Sequence, residues 1–341
     1  MILLFLLFIG CLSLGLTGLI RRYALARELM DVPNARSSHS IPTPRGGGVA
    51  IVISFLIALP VLCFFDLMPL NELLSFFTAG VVVAAIGFID DHGHVAARWR
   101  LLAHFAAAAI GLYFLGGFPP VELFGFELQL GWFGHFFALV YLVWMLNLYN
   151  FMDGIDGIAG IEATTVCLAG TLLYLIGGFG GVTEQLAAMT LCVATFGFLI
   201  WNFPPAKIFM GDAGSGFIGL TLGLFSIAAA HIDQSLFWGW IILLGVFIVD
   251  ATVTLGRRAL AGCAIYEAHR SHAYQYLSRK LGSHGPVTIA IGGINLVWLF
   301  PIAILVVLGS LGGVLGVLIA YLPLVILAFL LKSGDAEAQK V

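Results

Sequence analysis

Asn147-Leu148-Tyr149-Asn150-Phe151-Met152-Asp153-Gly154-Ile155-Asp156-Gly157-Ile158-Ala159-Gly160 closes one long apolar run and opens the next. Asn147, Asn150, Asp153 and Asp156 stand three apart in it, a spacing that keeps groups on one slowly turning helical face. Amides and carboxylates beside a hydrocarbon span are costly unless they face a cavity or a partner. The plain alternative is a polar turn between two helices, with Asp156 capping the second. Two asparagines inside the apolar span count against it, because a turn does not need them.

Composition agrees with a membrane setting. Hydrophobic residues make up 61% of the chain and charged residues 10%, against roughly 45–50% and 25% in soluble domains. With a mean hydropathy of +1.06, the chain reads as an all-α integral membrane protein. At 341 residues it is one catalytic bundle, 1–332, with a short disordered cytoplasmic tail, 333–341. A net charge of −3 speaks against nucleic acid as a partner. Cys11, Cys63, Cys167, Cys192 and Cys263 form no C-x-x-C and mostly lie in apolar runs, so they read as reduced packing residues. The first residues are apolar at once and lack a basic stretch, which reads as a first span rather than a cleaved signal.

Apolar runs of spanning length fall near 2–20, 46–65, 73–89, 101–117, 133–149, 158–177, 185–201, 214–231, 236–254, 287–308 and 312–331, giving about eleven transmembrane helices. Alternating their loops puts 21–45, 90–100, 150–157, 202–213, 255–286 and the tail on one side. All 15 Lys and Arg residues lie in or at the border of these segments. The positive-inside rule makes that side cytoplasmic, with the N-terminus periplasmic and the C-terminus cytoplasmic. On the opposite side, 118–132 reads as a short hairpin.

Four polar clusters fall on the basic side. Ser37 to Gly48 joins prolines, Arg45 and three glycines at the mouth of the second helix; glycine-freed N–H groups there can hold an anion, or the stretch is an ordinary helix start. Asp90 and Asp91 end a helix that runs outside to inside, where carboxylates oppose the dipole by about 0.3–1 kcal/mol each. A divalent cation or a cationic partner would offset that cost; capping the next segment is the alternative. Asp212 sits among glycines at the start of the eighth helix after Lys207. It suits Mg²⁺ held by a carboxylate and substrate phosphates, or a simple N-cap. Glu267 to Gln275 carries His269, Arg270 and His272. It fits phosphate oxygens better than zinc, or is a solvated basic loop. Together the clusters amount to an inventory for Mg²⁺-assisted phosphoryl transfer at a membrane face. A transporter or lipid flippase is the competing class, but its polar residues should lie near the bilayer midplane.

The ordered set Pro44-Arg45-Gly46-Gly47-Gly48, Asp90-Asp91, Asn147-x-x-Asn150-x-x-Asp153-Gly154-x-Asp156-Gly157, Phe209-Met210-Gly211-Asp212-x-Gly214-Ser215 and His269-Arg270-x-His272 resembles the polyprenyl-phosphate N-acetylhexosamine-1-phosphate transferases. The match runs from Asp31 to about Lys280. The resemblance implies transfer of a sugar phosphate from a UDP-N-acetylhexosamine to undecaprenyl phosphate with release of UMP, in the bacterial inner membrane, with the site facing the cytoplasm. It implies Mg²⁺, or Mn²⁺ in its place, held by Asn150 and Asp212. Asp90 and Asp91 resemble the acceptor-side acidic pair, and Asp156, His269, Arg270 and His272 fall with them as catalytic candidates. Arg45, Asn147, Asp153, Asn202 and Phe209 resemble substrate-binding positions, the last three around uridine. A homodimer is compatible with it. Where the peptidoglycan lipid I synthases carry Lys-x-Gly-Thr-Pro-Thr-Met-Gly-Gly and a triple His, this chain has Ser40 to Gly48 and His269-Arg270-Ser271-His272. Both departures point to the branch that begins O-antigen and other lipopolysaccharide chains, with 6-deoxy donors such as UDP-N-acetylfucosamine or UDP-N-acetylquinovosamine ahead of UDP-N-acetylglucosamine.

Overall fold

Helix α8 (Asp212–Ile232) is buried without a break from Ala213 to Ile227, and helices on either side of it in the chain pack against it. Small residues make this possible. A Cβ on Gly219 would lie 2.6 Å from the Met145 carbonyl, and one on Gly48 would lie 2.6 Å from the Cα of Gly214. Close backbone approach of this kind is how helices pack in lipid, where no hydrophobic gain separates one apolar surface from another. The computed structural model describes residues 1–33, 38, 39, 41–93, 95–179, 183–263 and 269–335.

Before α8 in the chain come α1 (Ile2–Ala26), α2 (Val49–Phe64), α3 (Leu70–His92), α4 (Ala97–Phe114), α5 (Gly131–Met152), α6 (Ile158–Gly177) and α7 (Thr183–Asn202); α2 to α6 pack on α8, and α1 and α7 pack on each other and on α2. After α8 come α9 (Gln234–Leu243), which also packs on it, α10 (Gly245–Leu260), α11 (Ala273–Leu281), α12 (Gly285–Ile294), α13 (Phe300–Val307) and α14 (Gly313–Leu330). A π-helical stretch, Asn295–Leu299, joins α12 to α13. All eleven expected runs fall on helical segments. Among the described residues, however, only eight spans are long and apolar enough to cross a membrane, or nine if α9 and α10, bent by 64°, are one broken span. The difference lies in α2, which has 16 residues, and in α4, whose first turn carries Arg98 and Arg100.

The expected hairpin forms, with β3 (Val121–Leu123) antiparallel to β4 (Phe126–Leu128). A shorter pairing of β1 (Met30–Asp31) with β2 (Thr43–Pro44) folds the segment before α2 back on itself. The five cysteines are free thiols. One expectation needs correction. Ser333 to Asp335 pack rather than trail, since the Gly334 N–H donates to the Ser271 carbonyl (2.8 Å) and Asp335 pairs with Arg257. The tail beyond, 336–341, lies outside the described residues.

The loops expected to share one side do meet at one end of the bundle. Arg45 reaches Asp212, Asp156 reaches Ala206, His284 reaches Ser38, and Tyr274 reaches the Phe151 carbonyl.

Candidate active site

Asp91 makes the central contact. Its Oδ1 accepts the Asp212 N–H (3.0 Å) and its Oδ2 the Ala213 N–H (3.2 Å). A carboxylate from α3 thus caps the N-terminus of α8, where free amides and the helix dipole both favour negative charge. Gly87, one turn before Asp91, permits it: a Cβ there would lie 2.7 Å from Ala213 Cα. The Asp91 side chain is only 4% exposed. It is a cap, though for α8 rather than for the segment that follows it in sequence.

Arg45 Nη2 lies 2.7 Å from Asp91 Oδ1 and 2.8 Å from Asp212 Oδ1, so one guanidinium balances two carboxylates. Asp90 points elsewhere. It accepts the Val95 N–H (2.9 Å) and pairs with Arg100, whose Nη1 also stands 3.7 Å from Asp212 Oδ2. The two adjacent aspartates therefore do different work, because consecutive helical residues project about 100° apart.

Two of the three glycines of the Arg45 loop have their amides engaged within the protein. Gly47 N–H donates to the Phe209 carbonyl (2.9 Å) and Gly48 N–H to the Met210 carbonyl (2.8 Å). Both allow close packing, and Arg45 supplies the positive charge.

A cavity of about 280 Å³ opens among these groups, lined by Arg45, Asn150, Asp153, Asp156, Asn202, Phe209 and Asp212, with Asp31, His39, Ser215, Gln275 and His284. Asn150 Nδ2 donates to Ser215 Oγ (2.9 Å). Asn202 ties the wall together, accepting the Gly157 N–H (3.0 Å) and donating to the Ile208 carbonyl (2.9 Å). The Phe209 ring meets His39 edge-on at 4.8 Å. Burial, and then the neighbouring Asp212, push the Asp153 carboxyl up to about 7, with Arg45 opposing. Burial acts the same way on Asp156, but the bonds from His284 and the Ala206 N–H outweigh it and hold that carboxyl below its usual range.

A second cavity, of about 210 Å³, shares Asn150 and Asp212 with the first. Its polar wall is Asp90, Arg100, His104 and Asn147; Val83, Ile86, Leu101, Leu146 and Phe151 make it apolar elsewhere. Asn147 Nδ2 is bonded to the Val143 carbonyl (2.7 Å).

The structure does not bring His269, Arg270 and His272 to either cavity. His272 is 2% exposed and caps α11, its Nδ1 3.3 Å from Asp250 Oδ1, while Asp250 also accepts the Ala273 and Tyr274 N–H groups. His272 is engaged in holding the loop, and the segment reaches the larger cavity through Gln275. The His269 ring stacks on His272 at 5.0 Å, and burial, then His272, push it down to about 4. Glu267 lies outside the described residues. Conversely, Arg100, Ser215, Gln275 and His284 were not singled out by sequence. Arg100 carried a signal, one basic residue ten positions after Asp90; Ser215 and Gln275 lay inside the motifs quoted above without a role of their own, and His284 carried none.

Two cavities that share Asn150 and Asp212 thus meet at one end of a multi-pass helical bundle. The glycosyl transferase family 4 model matches residues 73–230. A decaprenyl-phosphate N-acetylglucosaminephosphotransferase of Mycolicibacterium smegmatis is 30% identical, covering 95% of this chain and 87% of that one. A probable undecaprenyl-phosphate N-acetylglucosaminyl 1-phosphate transferase of Bacillus subtilis is 28% identical over 77% of this chain and 73% of that one. A phospho-N-acetylmuramoyl-pentapeptide-transferase of a Wolbachia strain from Brugia malayi is 35% identical, over 54% of this chain and 60% of that one. The chain belongs to the polyprenyl-phosphate N-acetylhexosamine-1-phosphate transferase family.

Proposed function

We propose that the protein transfers an N-acetylhexosamine 1-phosphate from a UDP-sugar to undecaprenyl phosphate and releases UMP, as the first membrane step in making a lipopolysaccharide O-antigen or another surface polysaccharide. The observation that carries this reading is the pair of cavities sharing Asn150 and Asp212. The larger, lined mostly by polar and charged side chains, suits the nucleotide sugar; the smaller, with charged groups and largely apolar walls, suits a lipid phosphate.

The acceptor oxygen bonds to the sugar-bearing phosphorus while the anhydride bond to UMP breaks. A phosphate monoester has its second pKa near ~6, so the acceptor needs little help from a base. The obstacle is repulsion between two anions, which positioned cations relieve. Arg100 faces the acceptor phosphate, and Asp90 orients Arg100 instead of removing a proton. Arg45 lies on the donor side. Among the described residues no three His, Cys, Asp or Glu side chains cluster as metal ligands. Asp212 and Asn150 at the junction nonetheless fit Mg²⁺ or Mn²⁺, which takes one or two carboxylates and completes its shell with substrate phosphates. The ion would neutralise the diphosphate and the departing UMP.

For the sugar, the relatives covering most of the chain carry N-acetylglucosamine in their names. Of the loop that suggested 6-deoxy donors, Gln275 lines the larger cavity, while His269, Arg270 and His272 line neither. UDP-N-acetylglucosamine is therefore the first donor to try, with the N-acetylfucosamine and N-acetylquinovosamine donors beside it. The Wolbachia relative makes UDP-N-acetylmuramoyl-pentapeptide the contrasting donor. Purified protein with undecaprenyl phosphate and each labelled donor should form a lipid-linked product, and only with Mg²⁺ or Mn²⁺. Undiminished product in EDTA would remove the metal from the reading. Preference for the pentapeptide donor would move the protein to peptidoglycan synthesis.

A further inference from the structure

His284 stands at the N-cap of α12. Its Nδ1 lies 3.2 Å from Asp156 Oδ1 and its Nε2 lies 3.1 Å from the Ser38 carbonyl oxygen. A carboxylate oxygen and a carbonyl oxygen can only accept. With Nε2 donating to the Ser38 carbonyl, a second proton on Nδ1, facing the Asp156 carboxylate, makes the ring an imidazolium. The Asp156 N–H also approaches Nδ1, at 3.3 Å, a contact that would need the neutral ring; the shorter contact to a charged oxygen is the stronger of the two.

The pair is a junction. Asp156 Oδ2 takes the Ala206 N–H (2.9 Å), and Thr288 Oγ1 donates to the Asp156 carbonyl (2.7 Å). The α5–α6 loop, the α7–α8 loop, the segment before α2 and the start of α12 are thus tied at one point on the wall of the larger cavity. With both its carboxylate oxygens engaged, Asp156 is not free to act on a substrate.

We propose that His284 is a positioning residue for the nucleotide-sugar chamber: as an imidazolium it clamps Asp156 to the Ser38 carbonyl and so holds the wall that receives the donor. The proposal rests on the larger cavity being the donor site. The contact with Asp156 raises the ring above its ordinary value of 6.5, against the opposing effect of burial. The clamp is therefore closed at low pH and released as pH rises through that raised value. Titratable or charged groups on the neighbouring elements are Asp153 and Asp156, His39, Lys207, and Arg279 and Lys280 at the end of α11. Asp153, on the same cavity wall, is itself pushed up to about 7, so its contribution must appear equally in wild type and variant.

Two measurements test the clamp. In the first, ¹⁵N-histidine protein without substrate is titrated by NMR, with His284→Gln assigning the resonance. His284 should stay doubly protonated above pH 6.5, and Asp156→Asn should bring it down. In the second, His284→Gln should raise the donor KM about tenfold, the loss of one charge-assisted contact. The kcat and the acceptor KM should stay within about twofold, and the extra rise of donor KM with pH seen in wild type should vanish. The Asp156→Asn/His284→Gln double variant should be no worse than either single one. Thermal unfolding checks that His284→Gln is folded, and Asp156→Asn carries the kinetic test if it is not. Titration of His284 at or below 6.5, or equal effects on donor and acceptor KM, would overturn the proposal. The NMR arm needs no donor, so if no UDP-sugar is turned over, the titration still decides for or against the clamp.

Discussion

Asp90 and Asp91 are neighbours with separate fates, and the difference can be measured. Removing Asp91 leaves two α8 amides uncapped and Arg45 with one carboxylate fewer. Loss of a cap costs about 0.5–2 kcal/mol, and breaking a buried ion pair about 3–5 kcal/mol. Asp91→Ala should therefore lower the unfolding temperature in detergent markedly. Asp90→Asn should leave that temperature nearly unchanged and cut turnover, because it frees Arg100 from its place in the acceptor chamber. Equal melting losses in both variants would refute the division. Asp153 offers a pH test of the same kind. Its folded value of about 7 lies above the ordinary 3.8, so the folded state holds the proton more tightly. Stability should fall as pH rises through that window and level off above it. Asp153→Asn in EDTA should abolish this slope, and an unchanged slope would assign it to another group. The sequence displayed these carboxylates plainly, since charges beside apolar runs stand out. It could not show which helix end Asp91 would meet, nor that His272 would be spent capping α11 with Asp250. Those partners are chosen by packing between segments over a hundred residues apart in the one case and 22 apart in the other.

At the scale of elements, helices were easier to foresee than their interruptions. Hydrophobic length marks a span, but the bend between α9 and α10 and the π-helical stretch at Asn295–Leu299 have no compositional signature. The π-helical stretch has a visible consequence. Asn295 is fully buried and donates to Glu162 Oε2 (2.7 Å) and Thr165 Oγ1 (2.9 Å), tying α6 to the α12–α13 span. The crossing of α3 over the start of α8 is the element on which the site depends most. A Cβ on Gly87 would meet backbone at 2.7 Å, which no rotamer change can relieve. Overpacking of this kind costs about 1–3 kcal/mol, and here it would also push Asp212 away from Arg45. Gly87→Ala should therefore lose activity beyond its loss of stability. Gly93→Ala, whose nearest neighbour is 3.7 Å away, should not. Full activity in Gly87→Ala would mean that the helices do not cross this closely.

Across the whole molecule the two ends differ in charge as well as in shape. Among the described residues, one end carries the chambers and the basic side chains from Arg21 to Lys332; the other carries the hairpin with Glu122 and Glu127 and no Lys or Arg. An excess of Lys and Arg in short loops sets orientation, with acidic residues contributing little. The chambered end should therefore face the cytoplasm, where a UDP-sugar would be supplied. Leu260, 92% exposed, lies at the chambered end, and Glu127 is exposed on the hairpin. With the five native cysteines replaced by alanine, a membrane-impermeant thiol reagent applied to spheroplasts should label Glu127→Cys and spare Leu260→Cys. Permeabilisation should then expose the second site. Labelling of Leu260→Cys in sealed spheroplasts would invert the bundle and place both chambers on the side away from nucleotide sugars, which the proposed transfer reaction could not survive.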